Sequence, residues 1–273
     1  MTATAAPVRA SRTPWPLIIG AAHAEFTKLR SVRSTYWTLF TLLVATIGLG
    51  SLLSWLTATH WTSTSGASRA SFDPTATSLS GFLLGQLIIA VLGVLTITSE
   101  FSTGVIRTSL ATLPRRTTFY IAKAAVFAVT ALIIGLIASF ASFFIGQMLM
   151  KSTHANASLG DPGVLRAAFG GGLFLAACGL FAFGLGAILR NTAGAIATAV
   201  GLLFVAPILV NFLPSSWQHD VSKWLPSNAG SHILLIKPLT SGGFSAWTGF
   251  GIFCAYAAVT VIAGLILFRR RDA

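Results

Sequence analysis

The sequence predicts an all-α integral membrane protein with six transmembrane helices. Three observations carry that prediction. Six long apolar runs occupy Tyr36–Ala58, Leu79–Thr98, Ala124–Leu149, Ala167–Leu189, Gly194–Leu213 and Ala246–Phe268, and none has an acid or a base in its middle. A helix needs about 20 predominantly apolar residues to cross the bilayer hydrocarbon, and each run is long enough. Charged residues make up 9% of the chain, against about 25% in an average soluble domain. Finally, the bases alternate from gap to gap, as a threaded chain requires.

The elements follow in order. Residues 1–15 read as a flexible tail. Residues 16–34 read as an amphipathic interfacial helix. Pro16 suits its first turn, and Leu17, Ile18, Ala21, Ala24 and Leu29 share a stripe, with Glu25, Lys28, Arg30 and Arg33 outside it. Such a basic helix lies on an anionic leaflet, held by apolar burial and cationic attraction. The spans are assigned to 36–58, 79–98, 119–149, 167–189, 194–213 and 246–268, and residues 16–273 form one domain. The longest polar gap leaves no room for a separate soluble domain. Pro207 disturbs the fifth span, because its ring displaces a backbone bond to the preceding turn.

Six spans put both termini on one side. That side collects 13 lysines and arginines, among them Arg107, Arg115, Arg116 and Lys123 in the second gap, and the other side collects 5. Bases favour the cytoplasmic face, so both termini are expected in the cytoplasm and the chain in the cell membrane. Trp55, Trp61, Trp217 and Trp224 fall near the expected outer boundary, where amphipathic rings settle. The formal charge of +12 follows from this distribution and does not imply a nucleic-acid partner.

The second gap runs Ser99-Glu100-Phe101-Ser102-Thr103-Gly104-Val105-Ile106-Arg107-Thr108-Ser109-Leu110 and on to Pro114. Glu100, just past a span, is either a solvated boundary residue or a charged anchor. Val105, Ile106, Ser109, Leu110 and Leu113 have helical spacing. A short helix ending before Pro114 carries Arg107 beside that face. It is either a plain basic surface loop or a helix that docks in a groove of a partner.

These residues resemble a known family. Ala24-Glu25-Phe26-Thr27-Lys28-Leu29-Arg30-Ser31-Val32-Arg33-Ser34 before the first span and Glu100-Phe101-Ser102-Thr103-Gly104-Val105-Ile106-Arg107 after the second are similar to ABC type-2 exporter permeases, and within them to six-span actinobacterial members. The likeness extends to Leu213-Pro214 through Leu225-Pro226. It implies two membrane subunits, here a homodimer or a pair with a similar permease, served by two separate ATPase subunits that hold ATP and Mg. It places Glu25, Lys28, Arg30 and Arg33 on the interfacial helix. Glu100, Gly104, Val105, Ile106, Arg107 and Leu110 fall in or beside a coupling element. Pro214, Trp217, Trp224 and Pro226 mark short re-entrant helices on the outer side before the last span.

The residues themselves exclude several chemistries. No GxxxxGK[ST] loop occurs, so an ATP-driven process draws on another polypeptide. The five histidines are scattered without ligand spacing, and no cofactor is expected in this chain. Cys178 and Cys254 both lie in apolar runs and read as small core residues. Without acids in the spans a proton- or sodium-coupled carrier is disfavoured. A drug, peptide or lipid-like cargo suits the mild polarity of the spans. A non-transporting sensor or immunity scaffold is the alternative, with a secondary carrier third. The glycines of the fourth span (Gly170, Gly171, Gly172, Gly179, Gly184, Gly186) and the Gly81/Gly85 pair serve packing within one subunit or a contact between subunits.

Overall fold

The computed structural model describes residues 20, 22–28, 33–63, 65–66, 69, 72–102, 116–153, 155–236 and 243–270. Among them there is no strand. Six helices are long and apolar enough to cross a membrane: Arg33–Thr59, Phe82–Ser102, Arg116–Met150, Val164–Leu189, Thr192–Val210 and Ala246–Arg270. We number them as spans one to six. Residues 22–28 are helical and precede the first span. Of the residues expected at a functional site, Arg30, Gly104, Val105, Ile106, Arg107 and Leu110 lie outside the described residues.

The fourth span is the axis of the bundle. It packs against the second, third and sixth spans, and the first span packs on the second and third. Its glycines are used inward. A side-chain carbon at Gly179 would meet Phe127, one at Gly184 would meet the backbone of Thr260, and one at Gly186 would meet Ile97. Gly170, Gly171 and Gly172 likewise face Ile233, Ser139 and Leu136, so all six glycines of this span seat neighbouring segments of the same chain. Cys178 is buried in this core, and both cysteines are free thiols. The outward faces are apolar: Trp37, Phe40, Val129, Ile133, Met148, Val259 and Ile262 are all exposed. In water such a surface would cost roughly 25 cal/mol per Å² of apolar area, so it requires lipid or another apolar cover.

Spans four and five are joined by two residues. Arg190 adopts a left-handed conformation (φ 52°) and its N–H donates to Gly186 O at 3.0 Å. Asn191 then caps the fifth span, its Oδ1 accepting from Gly194 N at 2.8 Å. Inside the fifth span, Gly201–Val205 forms a π turn that ends two residues before Pro207. Proline has no N–H to return to the turn before it, and the widened turn accommodates its ring. The disturbance expected from Pro207 thus takes the form of a π turn. The span ends at Val210, three residues before the expected limit.

The second span also starts later than expected. Residues 79–81 form a turn, because a separate short helix, Pro74–Ser78, sits before it. Asp73 starts that helix: its Oδ1 accepts from Thr75 N and Ala76 N, both at 3.0 Å. Its other oxygen accepts from Ile236 N at 2.9 Å, across 163 residues of sequence. Arg166 holds the same distant segment, donating to Leu235 O at 2.9 Å. Gln147 of the third span donates to Pro74 O and to Ser78 Oγ, and Ser142 donates to Ser78 O. This end of the bundle is therefore tied by hydrogen bonds. Losing an N-cap costs about 1 kcal/mol, and an unpartnered Ile236 N–H adds about as much. Asp73→Ala is expected to lower stability by roughly 2 kcal/mol, with Asp73→Asn milder, when unfolding is followed in detergent micelles.

Between spans five and six lie two short helices, Ser215–Trp224 and Pro226–Ser231. Pro214 precedes the first helix and Pro226 opens the second, positions where the missing N–H would have had no helical partner. Trp217 and Trp224 are exposed. The backbone of Trp224 accepts from Tyr256 Oη at 3.1 Å, and its ring meets Phe244 edge-on at 4.9 Å. The four residues singled out in this region therefore lie on or beside two compact helices.

Candidate functional site

At the opposite end of the bundle, four charged side chains from three elements meet. The 22–28 helix supplies Glu25 and Lys28, the second span Glu100, and the third span Lys123. Lys123 Nζ lies 2.9 Å from Glu100 Oε1 and also pairs with Glu25 Oε2. Lys28 Nζ lies 3.2 Å from Glu25 Oε1 and 3.3 Å from Glu100 Oε1. The set is electrically balanced, two acids against two bases. Three of its members are buried, with Glu25 4%, Lys123 5% and Glu100 7% exposed.

Burial of this kind needs partners. An ionised group taken out of water costs several kcal/mol, recovered only by close, hydrogen-bonded opposite charge. Here each buried acid touches both lysines. Burial pulls the Lys28 ammonium down, but Glu100 and then Glu25 outweigh it and hold it above its ordinary value. Its charge is therefore constant through the neutral range. A raised lysine contributes its stability below the unfolded value and loses it only as pH rises through the folded one. Acid oxygen Glu100 Oε2 is buried and makes no hydrogen bond among the described residues.

A block of rings backs the charges. Phe119 stands 5.4 Å from Lys123 Nζ and 5.7 Å from Lys28 Nζ, measured to its centroid. Such a ring face attracts a cation. Phe268, at the end of the sixth span, stacks on Phe119 and meets Phe101 and Tyr120. Tyr120 Oη donates to Val261 O at 3.0 Å. Arg190, in the turn after the fourth span, lies 4.9 Å over Phe101. Residues from the 22–28 helix, from spans two, three and six and from the turn after the fourth thus share one packed end.

The structure resolves the open reading of Glu100: it is a buried anchor and not a solvated boundary residue. It also corrects the placing of Glu25 on a polar helix face. Glu25 turns inward, while Ala24 and Phe26 face out. The reason is the pull of Lys123, which the sequence count assigned to the loop. Lys123 sits two turns inside the third span, whose helix begins at Arg116. Arg33, at the start of the first span, is exposed and forms none of the cluster's ion pairs among the described residues. Glu100 is followed after Ser102 by 103–115, and Arg116 resumes the described chain.

Six apolar helices, the fourth of them central, with a short charged helix docked on the second and third spans, make a multi-pass membrane protein. Residues 22–206 match the family model described as ABC-2 family transporter protein. That is more than half of the chain, and the chain belongs to this family of ABC transporter permeases. The matched stretch begins at the 22–28 helix, holds the whole charge cluster and ends within the fifth span. No curated protein matches the sequence.

Proposed function

We propose that this chain is the membrane subunit of an ATP-driven exporter, and that the Glu25–Lys28–Glu100–Lys123 cluster is where force from a separate ATPase enters the spans. Residues 16–273 act as one membrane domain, set in the cell membrane with both termini in the cytoplasm. The excess of bases at the cluster end supports that orientation. Two permease subunits, here two copies of this chain, work with two ATPase subunits that bind ATP and Mg. The cargo is a drug, peptide or lipid-like molecule. The two short helices carrying Pro214, Trp217, Trp224 and Pro226 dip into the outer leaflet.

One observation carries the reading. The segment 103–115 is bounded on one side by Glu100 and on the other by the helix of Lys123, and those two residues are paired at 2.9 Å. A push on that segment reaches the second and third spans together. The interfacial helix, locked to both by Glu25 and Lys28, moves with them. Gly104, Val105, Ile106, Arg107 and Leu110 supply the docking face for the ATPase groove, with Arg107 as its charge. Arg30 and Arg33 hold the preceding helix against the anionic leaflet.

Reversing one charge within an interface sets like charges together at a cost of several kcal/mol. Arg107→Glu is therefore expected to lower co-purification with the ATPase, or ATP turnover by the complex, by about tenfold or more, with membrane insertion unchanged. Wild-type levels of both in this variant would remove Arg107 from the docking face.

A further inference from the structure

A groove of about 530 Å³ runs between the third and sixth spans, over the fourth. Both flanking spans pack on the fourth but meet each other little. Small side chains on its walls keep it deep: Ala124, Ala125 and Ala128 on one side, Ala257 and Ala258 on the other. No charged residue lines it among those described, and its one hydroxyl, Tyr120 Oη, already donates to Val261 O. On the sixth span the lining runs from Phe250 to Leu265. That is roughly 22 Å at 1.5 Å per residue, more than one leaflet's half of a hydrocarbon core about 30 Å thick. A hydrocarbon chain lying there is touched from three sides, and such contacts add up.

At the charge-cluster end the groove meets two cations. Ala258, Ile262 and Leu265 line it from one stripe of the sixth span, and Arg269, four residues past Leu265, continues that stripe. Arg269 and Arg270 are exposed, and with Ile266 they border a hollow of their own. Neither forms an ion pair among the described residues. The two acids described at this end, Glu25 and Glu100, are buried and held by Lys28 and Lys123. Asp272 lies outside the described residues.

The occupant's chemistry follows from this pairing. An apolar trough that ends on two arginines without a counter-charge matches a molecule with hydrocarbon at one end and net negative charge at the other. A second copy of the chain matches less well, because its described acids at this end are buried and it has none to offer Arg269 and Arg270. A zwitterionic lipid brings a phosphate but cancels it with its own cation.

We propose that this groove binds one phospholipid of net negative charge, with an acyl chain between the third and sixth spans and the headgroup phosphate on Arg269 and Arg270. The lipid is a resident of the folded protein, distinct from any cargo, and needs neither nucleotide nor ATPase. Tyr120, Leu180, Val261 and Leu265 border both the groove and the ring block behind the charge cluster, so the bound lipid braces that end of the bundle.

The test uses the purified full chain in nanodiscs of equal phosphatidylglycerol and phosphatidylcholine, without ATP or any ATPase, so it stands apart from the coupling proposal. Trace lipids of either headgroup carry the same diazirine-tagged acyl chain, and labelled peptides are mapped by mass spectrometry. Phosphatidylglycerol should label 120–128 and 250–265 up to about thirtyfold more than phosphatidylcholine at low salt, two bases at about 1 kcal/mol each. The two should label the exposed face of the first span, 40–52, about equally. Arg269→Gln with Arg270→Gln should bring the ratio in the groove close to one. Ala258→Phe, which fills the groove from an exposed position, should reduce labelling there by both lipids. Phosphatidylglycerol should also raise the melting temperature of the wild type more than that of the double glutamine variant, as a ligand of the folded state does. Equal labelling of the groove by the two headgroups in the wild type would overturn the proposal. So would a preference that survives the double glutamine change, or one equally strong on the first span, which is general enrichment around a basic protein. Background labelling by both lipids, with cross-links between chains through 120–128, would give the groove to a second copy instead.

Discussion

Lys123→Met is expected to destabilise the protein by about 3–5 kcal/mol, the usual cost of removing one partner from a buried ion pair. Methionine keeps the length and the apolar stem of lysine but removes the ammonium. Glu25 and Glu100 would then remain buried with Lys28 as their one cation among the described residues. The cost comes from stranded carboxylates and not from a lost attraction alone. A second substitution separates the two. Glu100→Gln in the Lys123→Met background restores charge balance, one acid against one base, and should recover about half of the loss. Lys28→Met is the control. Its side chain is 43% exposed, water already screens it, and an exposed pair contributes about 0–1 kcal/mol. Unfolding in mixed micelles, followed by far-ultraviolet circular dichroism, ranks the three variants. A Lys123→Met variant no weaker than Lys28→Met would mean that the cluster does not hold the 22–28 helix to the spans.

The same four residues show what could be read from sequence and what could not. The spans were legible because lipid admits few alternatives: a chain that crosses hydrocarbon must be apolar for about 20 residues and satisfy its backbone within itself. Glu25 and Lys28 were legible as a helix pair, being three residues apart. Their meeting with Lys123 was not, because 98 residues separate Glu25 from Lys123 and a base near a span end is ordinary on the basic side. One signal was available. Lys123 falls inside the span assigned to 119–149, and an ionisable residue within a span implies a partner. At the far end, Asp73 has no helical register with Ile236, so sequence alone could not join them. The fourth-span glycines announced close packing, but their neighbours, Phe127 and Thr260 among them, emerged only with the fold.

Gly81→Ala is expected to damage the fold more than any other glycine-to-alanine change near the first span. An added carbon at Gly81 would stand 1.8 Å from the carbonyl oxygen of Thr46, 2.7 Å from its carbonyl carbon and 3.0 Å from the backbone nitrogen of Gly50. All three atoms are backbone, and none can rotate away. The first span must withdraw, taking with it the stripe of Leu42, Thr46, Gly50 and Ser54 that it buries. Overpacking of a core costs about 1–3 kcal/mol when side chains can adjust, so a rigid contact puts this variant at or above that range. Gly85→Ala provides a graded comparison, because its nearest contact is the Thr46 hydroxyl at 2.7 Å, an atom on a side chain. Gly48, on the same first span, has nothing within 4 Å, and Gly48→Ala should be close to neutral. The expected order of stability is therefore Gly48→Ala, then Gly85→Ala, then Gly81→Ala, with several kcal/mol between the ends. Measured in the same micelles as the lysine variants, a Gly81→Ala protein as stable as Gly48→Ala would show that the first span does not meet the turn before the second backbone to backbone.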